Sequence, residues 1–209
     1  SYIFGESNVY ANRRINEYSL GLDALLEWSQ DREQPLTVRL VRGAYWDQEL
    51  ILSVRDGWPL PVWRHKHQTD RSFELCLNKL FRAHTRLRPA VATHNVRSMA
   101  LAMALAEESG AGRDGVEFRM LYGMGDALRS AILEMGYRVR LYTPFGEILP
   151  GMAYLVRRIL ENSSSQSSLH LGYLPEAEPG QLLQPSYGPG LEAEQQMPAD
   201  WEEIEGLNE

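Results

Sequence analysis

The chain has a single cysteine and no long apolar run, and both features limit what it can be. One thiol, Cys76, excludes an internal disulfide and a thiolate cluster for zinc or iron–sulfur binding, and it is typical of a reducing, intracellular setting. The most apolar stretch, 99–106, is too short to span a bilayer, and the N-terminus has no signal-peptide pattern. We therefore expect a cytoplasmic location, and peripheral contact with the inner face of a membrane stays open.

The chain also has no excess of basic residues, since its net charge is −7. The segment 173–209 has nine Asp and Glu residues and no Lys or Arg, which leaves 19 acidic and 21 basic residues before it. A near-neutral body lacks the coherent basic surface that nucleic-acid binding needs, so we expect a small-molecule ligand and no nucleic-acid partner. We interpret residues 1–172 as the folded domain and 173–209 as an acidic linker or tail rich in Pro and Gly.

What the sequence does contain is an alternation of strand and helix patterns, which is typical of α/β proteins with a parallel sheet or barrel. The predicted strands lie at 7–10, 36–42, 90–93, 116–121 and 138–142. The predicted helices lie at 17–29, 47–56, 71–84, 97–109, 126–135 and 151–162. Five βα units do not close an eight-fold barrel of about 250 residues, so either the sheet is open or N-terminal strands are missing.

Two predicted strands carry charged residues on a face that a parallel sheet usually keeps apolar. Arg39 needs an anion or an acceptor there, and an internal salt bridge and a ligand contact are both open interpretations. Glu117 and Arg119 share a face, and each could satisfy the other. Because ligands of β/α barrels lie at the carboxyl ends of the strands, the polar groups at those ends favour a ligand site.

The last predicted helix carries adjacent arginines, Arg157 and Arg158, near Tyr154 and Glu161. Two arginines can bind a carboxylate by charge-assisted bonds, but a solvated helix face explains the same spacing. His65 and His67 also stand two residues apart, yet no set of ligands with metal spacing completes them. We therefore predict no metal site.

Six ordered strings resemble those of proline dehydrogenases, and most of all the dehydrogenase domain of bifunctional proline-utilisation proteins. They are VRLVRGAYWD at 38–47, KHQTD at 66–70, ATHN at 92–95, LYGMG at 121–125, LYTPFG at 141–146 and YLVRRILEN at 154–162. The resemblance implies a (β/α)₈ barrel of the TIM type, of which this chain holds the C-terminal part. It also implies FAD at the carboxyl ends of the strands.

The resemblance also implies roles for individual residues. Arg39, beside the flavin N5, and Tyr142, against the substrate, would be the catalytic residues. Arg157 and Arg158 would bind the proline carboxylate, and Leu121, Tyr142 and Tyr154 would surround the proline ring. The remaining residues implied to bind FAD are Val41, Arg42, Gly43, Ala44, Tyr45, Trp46, Lys66, Thr69, Thr93, His94, Asn95, Arg119 and Glu161.

The implied reaction is the oxidation of L-proline to 1-pyrroline-5-carboxylate, with a hydride passing to flavin N5 and the electrons then to a quinone. An aldehyde dehydrogenase domain, fused or separate, is the implied partner.

The sequence departs from the family pattern at several positions. Arg42 replaces a lysine, Arg119 a glutamine and Ser168 an aromatic residue. The family's pattern also begins earlier than this chain. A truncated or degenerate partial barrel that acts as an interaction module is therefore the alternative.

Overall fold

The computed structural model describes residues 6–11, 15–43 and 46–147, and farther along residues 151, 152, 154, 156, 180, 183 and 184. Strands and helices alternate through these ranges, as the sequence predicts. The elements are β1 (Glu6–Tyr10), α1 (Ile15–Gln30), β2 (Leu36–Val41), α2 (Trp46–Asp56), α3 (Lys66–Arg82), β3 (Leu87–Ala92), α4 (Val96–Glu108), a 3₁₀ turn (Arg113–Gly115), β4 (Glu117–Leu121), α5 (Asp126–Glu134) and β5 (Arg138–Tyr142).

The five strands form one parallel sheet in which spatial order follows chain order, β1-β2-β3-β4-β5. A helix lies between each strand and the next, because parallel neighbours need a crossover connection. All five strands run in the same direction, so their last residues lie along one edge of the sheet. We call the edge that follows Tyr10, Val41, Ala92, Leu121 and Tyr142 the carboxyl edge.

The main core lies between the helices and one face of the sheet. In β2 and β4 every second residue is buried, so Val38, Leu40, Phe118 and Met120 point to the helices. The helices supply large apolar side chains against them, namely Phe73, Leu77, Leu80, Phe81, Met99 and Ile132. Burying each such side chain contributes about 1.5–3 kcal/mol, so this layer holds the sheet and helices together.

The opposite face of the sheet, which we call the inner face, is more polar and only partly buried. Strand register places Arg39 in line with Ala90 and Glu117, and Arg119 in line with Arg140. These four charged side chains are half-buried or exposed, in contrast to the apolar residues that alternate with them. A parallel sheet usually has both faces covered, so a polar, accessible inner face points to a surface that contacts ligand or further protein.

The predicted strands at 36–42, 90–93, 116–121 and 138–142 are confirmed within a few residues, and so is the one at 7–10. The predicted start of α3 at residue 71 is wrong, because the helix begins at Lys66. Its first turn is polar and shows no apolar periodicity, and Gln68 stabilises it by accepting a hydrogen bond from the His65 backbone N–H at 3.0 Å. His67 therefore lies in the first turn of this helix.

The predicted helix at 151–162 lies mostly outside the described residues, although Gly151, Met152, Tyr154 and Val156 are helical. The predicted tail, 173–209, is described at three positions, so the domain boundary stays a prediction. One described contact links the tail to the domain, because Arg97 Nη1 donates to the Leu183 carbonyl at 2.7 Å. Among the described helices, none combines the length and the apolar content needed to cross a membrane.

Candidate functional site

The centre of the candidate site is Arg42, the first residue after β2 at the carboxyl edge. Its Nε donates to Asp70 Oδ1 at 2.6 Å, its Nη1 to Thr93 Oγ1 at 2.7 Å and its Nη2 to Ser98 Oγ at 2.7 Å. The guanidinium also lies over the Phe73 ring, 4.5 Å from its centroid. Arg42 therefore joins the end of β2 to α3, to the end of β3 and to the first turn of α4.

Asp70 is the carboxylate of this cluster, and its side chain is only 7% exposed. Its second oxygen accepts from Lys66 Nζ at 2.7 Å, one helical turn earlier in α3. A buried carboxylate requires such pairing, and two cations on one carboxylate leave the cluster with a net positive charge. The first turn of α3 contains no acidic residue, so the helix N-terminus adds to that positive potential.

Neither Asp70 nor Ser98 is among the site residues predicted from the sequence. The sequence feature that could have revealed Asp70 is its spacing from Lys66, four residues earlier in the KHQTD string. Residues with this spacing share a face of a helix, but this argument requires that α3 already begins at Lys66. Ser98 is almost fully buried in an apolar-looking helix start, where a serine has no distinctive pattern.

The three residues after β3, Thr93, His94 and Asn95, lie beside Arg42. Asn95 is the N-cap of α4, and its Oδ1 accepts from the Ser98 backbone N–H at 3.0 Å. The Asn95 backbone N–H donates to Thr93 Oγ1 at 3.1 Å. His94 connects two strand ends, because its Nε2 accepts from the Leu121 N–H at 3.1 Å. These contacts hold the loop in one conformation next to the start of α4.

On the inner face, the ion pair considered from the sequence is present. Arg119 Nε lies 2.8 Å from Glu117 Oε1, and Arg140 of the neighbouring strand lies 2.9 Å from Glu117 Oε2. One carboxylate thus pairs with two arginines, as Asp70 does at the carboxyl edge. Arg39 is half-buried on the same face. The cofactor role of Arg119 stays a prediction.

Two residues predicted to surround the substrate lie together beyond β5. The rings of Tyr142 and Tyr154 are 5.9 Å apart between centroids, with planes inclined by 41°. Tyr142 is 58% exposed, so its ring is accessible at the carboxyl edge. The backbone N–H of Tyr122 donates to the Tyr142 carbonyl at 3.0 Å, which keeps the β4 and β5 ends adjacent.

The other predicted site residues fall into two groups. The first group lies at or near the carboxyl edge, where Val41 is half-buried, Thr69 is buried and Gly43 is exposed. Trp46 belongs to the same group, and its Nε1 donates to the Trp63 carbonyl at 2.6 Å. The second group lies outside the described residues and comprises Ala44, Tyr45, Arg157, Arg158 and Glu161.

The residues present suit an anionic ligand better than a metal ion. His65 and His67 stack with centroids 5.4 Å apart, but within the described ranges no group of three His, Cys, Asp or Glu side chains converges. Lys66, Thr93 and Asn95 instead offer N–H and O–H groups beside the N-termini of α3 and α4. Such a donor set fits the phosphate groups of a nucleotide cofactor.

Comparison with known proteins shows which proteins this chain resembles. The Escherichia coli bifunctional protein PutA is 34% identical over 155 residues, which cover 71% of this chain and 12% of that protein. Mitochondrial proline dehydrogenase 2 of Arabidopsis thaliana is 32% identical over 152 residues, 70% of this chain and 32% of that protein. The chain thus spans less than a third of the length of either relative.

A solved structure gives the same result for the fold. Proline utilization A from Bdellovibrio bacteriovorus matches 90% of this chain and 20% of its own, with a TM-score of 0.82 and 42% identity. The predicted β/α-barrel type of fold is confirmed, and the five parallel strands are part of such a barrel. The sequence profile described as proline dehydrogenase matches residues 15–171. The chain therefore belongs to the proline dehydrogenase family.

Proposed function

We propose that this chain provides the cofactor- and substrate-binding edge of an enzyme that oxidises L-proline to 1-pyrroline-5-carboxylate. Membership of the family implies a flavin cofactor, and we propose that it is FAD. A bound flavin supplies the oxidising chemistry by accepting a hydride from the proline carbon next to nitrogen. We further propose a quinone as the final electron acceptor and an aldehyde dehydrogenase domain as the fused or separate partner.

The observation that carries the proposal is the positively charged cluster at the carboxyl edge. Arg42 and Lys66 share the single carboxylate of Asp70, and the N-termini of α3 and α4 meet beside them. Lys66, Thr69, Thr93, His94 and Asn95 would hold the FAD diphosphate and the groups next to it. This choice is supported by the donor chemistry, because a diphosphate presents only acceptor oxygens and negative charge.

The substrate part of the proposal rests on the neighbouring strand ends. Leu121 and the rings of Tyr142 and Tyr154 would exclude water from the proline ring, and Arg39 would stabilise negative charge that develops during the reaction. Arg157 and Arg158 would fix the carboxylate by bidentate bonds, which holds the reacting carbon in one orientation.

Flavin loading and reduction test the proposal. The full chain should take up FAD and show the visible absorbance of a bound flavin, and L-proline added without oxygen should bleach it. Hydroxyproline in a parallel sample tests whether an added hydroxyl is tolerated. A colourless protein that does not take up FAD would contradict the proposal and favour an interaction module.

One substitution tests separately whether Arg158 binds the carboxylate of proline. Arg158→Ala should weaken proline binding at least about tenfold and change FAD affinity much less, because the lost bonds are charge-assisted contacts to the substrate alone. Arg55→Ala, at an exposed arginine near the end of α2, is the matched control and should change neither. Equal losses of proline and FAD affinity in the Arg158 variant would count against the carboxylate role.

A further inference from the structure

One arginine of α4 connects the folded domain to the acidic tail, 173–209. Arg97 lies in the first turn of α4, and its Nε and Nη2 donate to the Glu74 carboxylate of α3 at 2.7 and 3.2 Å. Two bonds to one carboxylate fix the plane of the guanidinium. The remaining nitrogen, Nη1, donates to the Leu183 carbonyl at 2.7 Å. Glu74 thus orients Arg97 so that Nη1 faces the tail.

The contact recognises main chain and not a particular side chain. Leu183 is 47% exposed, although its carbonyl accepts from Arg97. The Arg97 and Glu74 side chains are only 27% and 12% exposed, and their charges are paired. A carboxylate of the tail at this position would lie beside Glu74 and gain little from an arginine that is already paired. The partner that fits Nη1 is therefore an uncharged stretch of main chain.

The sequence of the tail has such a stretch at this position. Residues 173–209 include nine Asp and Glu residues, yet the residues at 179–191, between Glu178 and Glu192, are all uncharged. We call 179–191 the neutral stretch, and Leu183 belongs to it. An interruption of the acidic pattern is expected where a segment contacts the domain, because charged side chains lose hydration on contact.

We infer that the neutral stretch docks on the domain at Arg97 and stabilises the first turn of α4, so that it is not part of a free linker. The same turn follows the N-cap Asn95 and includes Ser98, which accepts from Arg42. Docking therefore restrains the turn beside the residues that the proposed function assigns to the cofactor. Coupling between two sites is reciprocal, so bound cofactor should strengthen docking by the same factor. This coupling rests on the proposed function, and in it Arg97 is a positioning residue.

Limited digestion of the full chain with chymotrypsin tests the docking. Mass spectrometry gives the rate of cleavage after Leu183, within the neutral stretch, and after Trp201, beyond it in sequence. Each rate is divided by the rate for the same bond in a synthetic peptide of residues 173–209, which removes the intrinsic preference of the protease. Cleavage of a docked segment requires local opening, so the bond after Leu183 should be cut at least about tenfold more slowly than in the peptide.

Arg97→Lys separates docking from general stability. Lysine keeps the charge but lacks the planar fork that Glu74 orients, so the variant should lose most of the protection after Leu183, about tenfold, with the rate after Trp201 unchanged. Lys79→Ala is the matched control, because it breaks a different ion pair of α3, to Asp23 of α1, and should change neither rate. No protection in the wild type, or equal protection in Arg97→Lys, would overturn the docking. An equal rise of both rates in Arg97→Lys would overturn it too.

Flavin binding tests the coupling. Saturating FAD should slow cleavage after Leu183 about fivefold, and Arg97→Lys should raise the Kd for FAD by a similar factor, whereas Lys79→Ala should leave the Kd unchanged. An unchanged cleavage rate with FAD bound would overturn the coupling. A wild-type chain that binds no FAD would refute the proposed function and the coupling with it, while the digestion without FAD decides the docking by itself.

Discussion

Replacing Arg42 with alanine should destabilise the fold measurably, because one side chain connects four elements. The substitution removes three bonds that the charged guanidinium donates, to Asp70, Thr93 and Ser98, and each such bond is worth up to about 1.5–3 kcal/mol. The total must be discounted, since the Arg42 side chain is 24% exposed and Asp70 keeps Lys66 as a partner. We expect a loss of about 3 kcal/mol in the free energy of unfolding.

Urea denaturation of the full chain measures this loss. With a denaturant dependence of roughly 2–3 kcal/mol per molar, the midpoint should fall by about 1 M. Arg42→Lys keeps the charge but not the three-way geometry, and it should lose about half as much. Arg55→Ala, which breaks an ion pair on an exposed helix end, is the control and should leave the midpoint unchanged.

A double-mutant cycle identifies the physical cause. The loss of stability is traced by its dependence on Asp70. If it arises mainly because Asp70 keeps one cation fewer, Arg42→Ala should lower the free energy of unfolding by about 1–2 kcal/mol less in an Asp70→Asn background than in the wild type. Equal costs in both backgrounds, or a loss below about 1 kcal/mol for Arg42→Ala alone, would refute the central role of this pair.

Two further predictions concern the body of the domain. Gly136→Ala should lower the free energy of unfolding by about 1–2 kcal/mol, because Gly136 has φ +83° and an added Cβ would lie 3.2 Å from Arg113 Nη1. Gly21 lies within α1, where an added Cβ would meet open space, so Gly21→Ala should raise the free energy of unfolding by about 0.5–1 kcal/mol in the same denaturation assay. Burial raises the pKa of the Cys76 thiol from 9.0 to about 11, so the native thiol should not react with a disulfide reagent at pH 8, while the urea-unfolded chain should release one equivalent. Because the pKa of the thiol is higher in the folded than in the unfolded state, the neutral thiol stabilises the fold below about pH 9, and that contribution is lost as the pH rises through about 11. Rapid labelling of the native protein at pH 8 would contradict the burial of Cys76.

The sequence predicted the sheet well because its information is local. Alternation in β2 and β4 assigns Val38 and Phe118 to the core and Arg39 and Glu117 to the other face, without any knowledge of neighbours. Chain order then places the strand ends along one edge, since every connection is a helical crossover. The same reasoning found Arg119 near Glu117, because two residues separated by one in a strand share a face.

The partners of Arg42 could not be predicted in this way. Its contacts join residues 28, 51 and 56 positions apart in sequence, and they depend on how α3 and α4 pack against the sheet. Asp70 becomes available only because α3 begins at Lys66, in a polar turn that has no hydrophobic pattern. Arg140 meets Glu117 for a similar reason, since the contact depends on the register of β4 and β5.

Local charge, and not net charge, indicates what the domain binds. The chain carries −7, yet at the carboxyl edge Asp70 faces both Arg42 and Lys66, and on the inner face Glu117 faces both Arg119 and Arg140. In each cluster one carboxylate pairs with two cations, so these three side chains together carry one positive charge. An anionic group would complement the positive charge of such a cluster. In the proposed function that group at the carboxyl edge is the FAD diphosphate, and this complementarity connects the geometry of the edge to the proposed reaction.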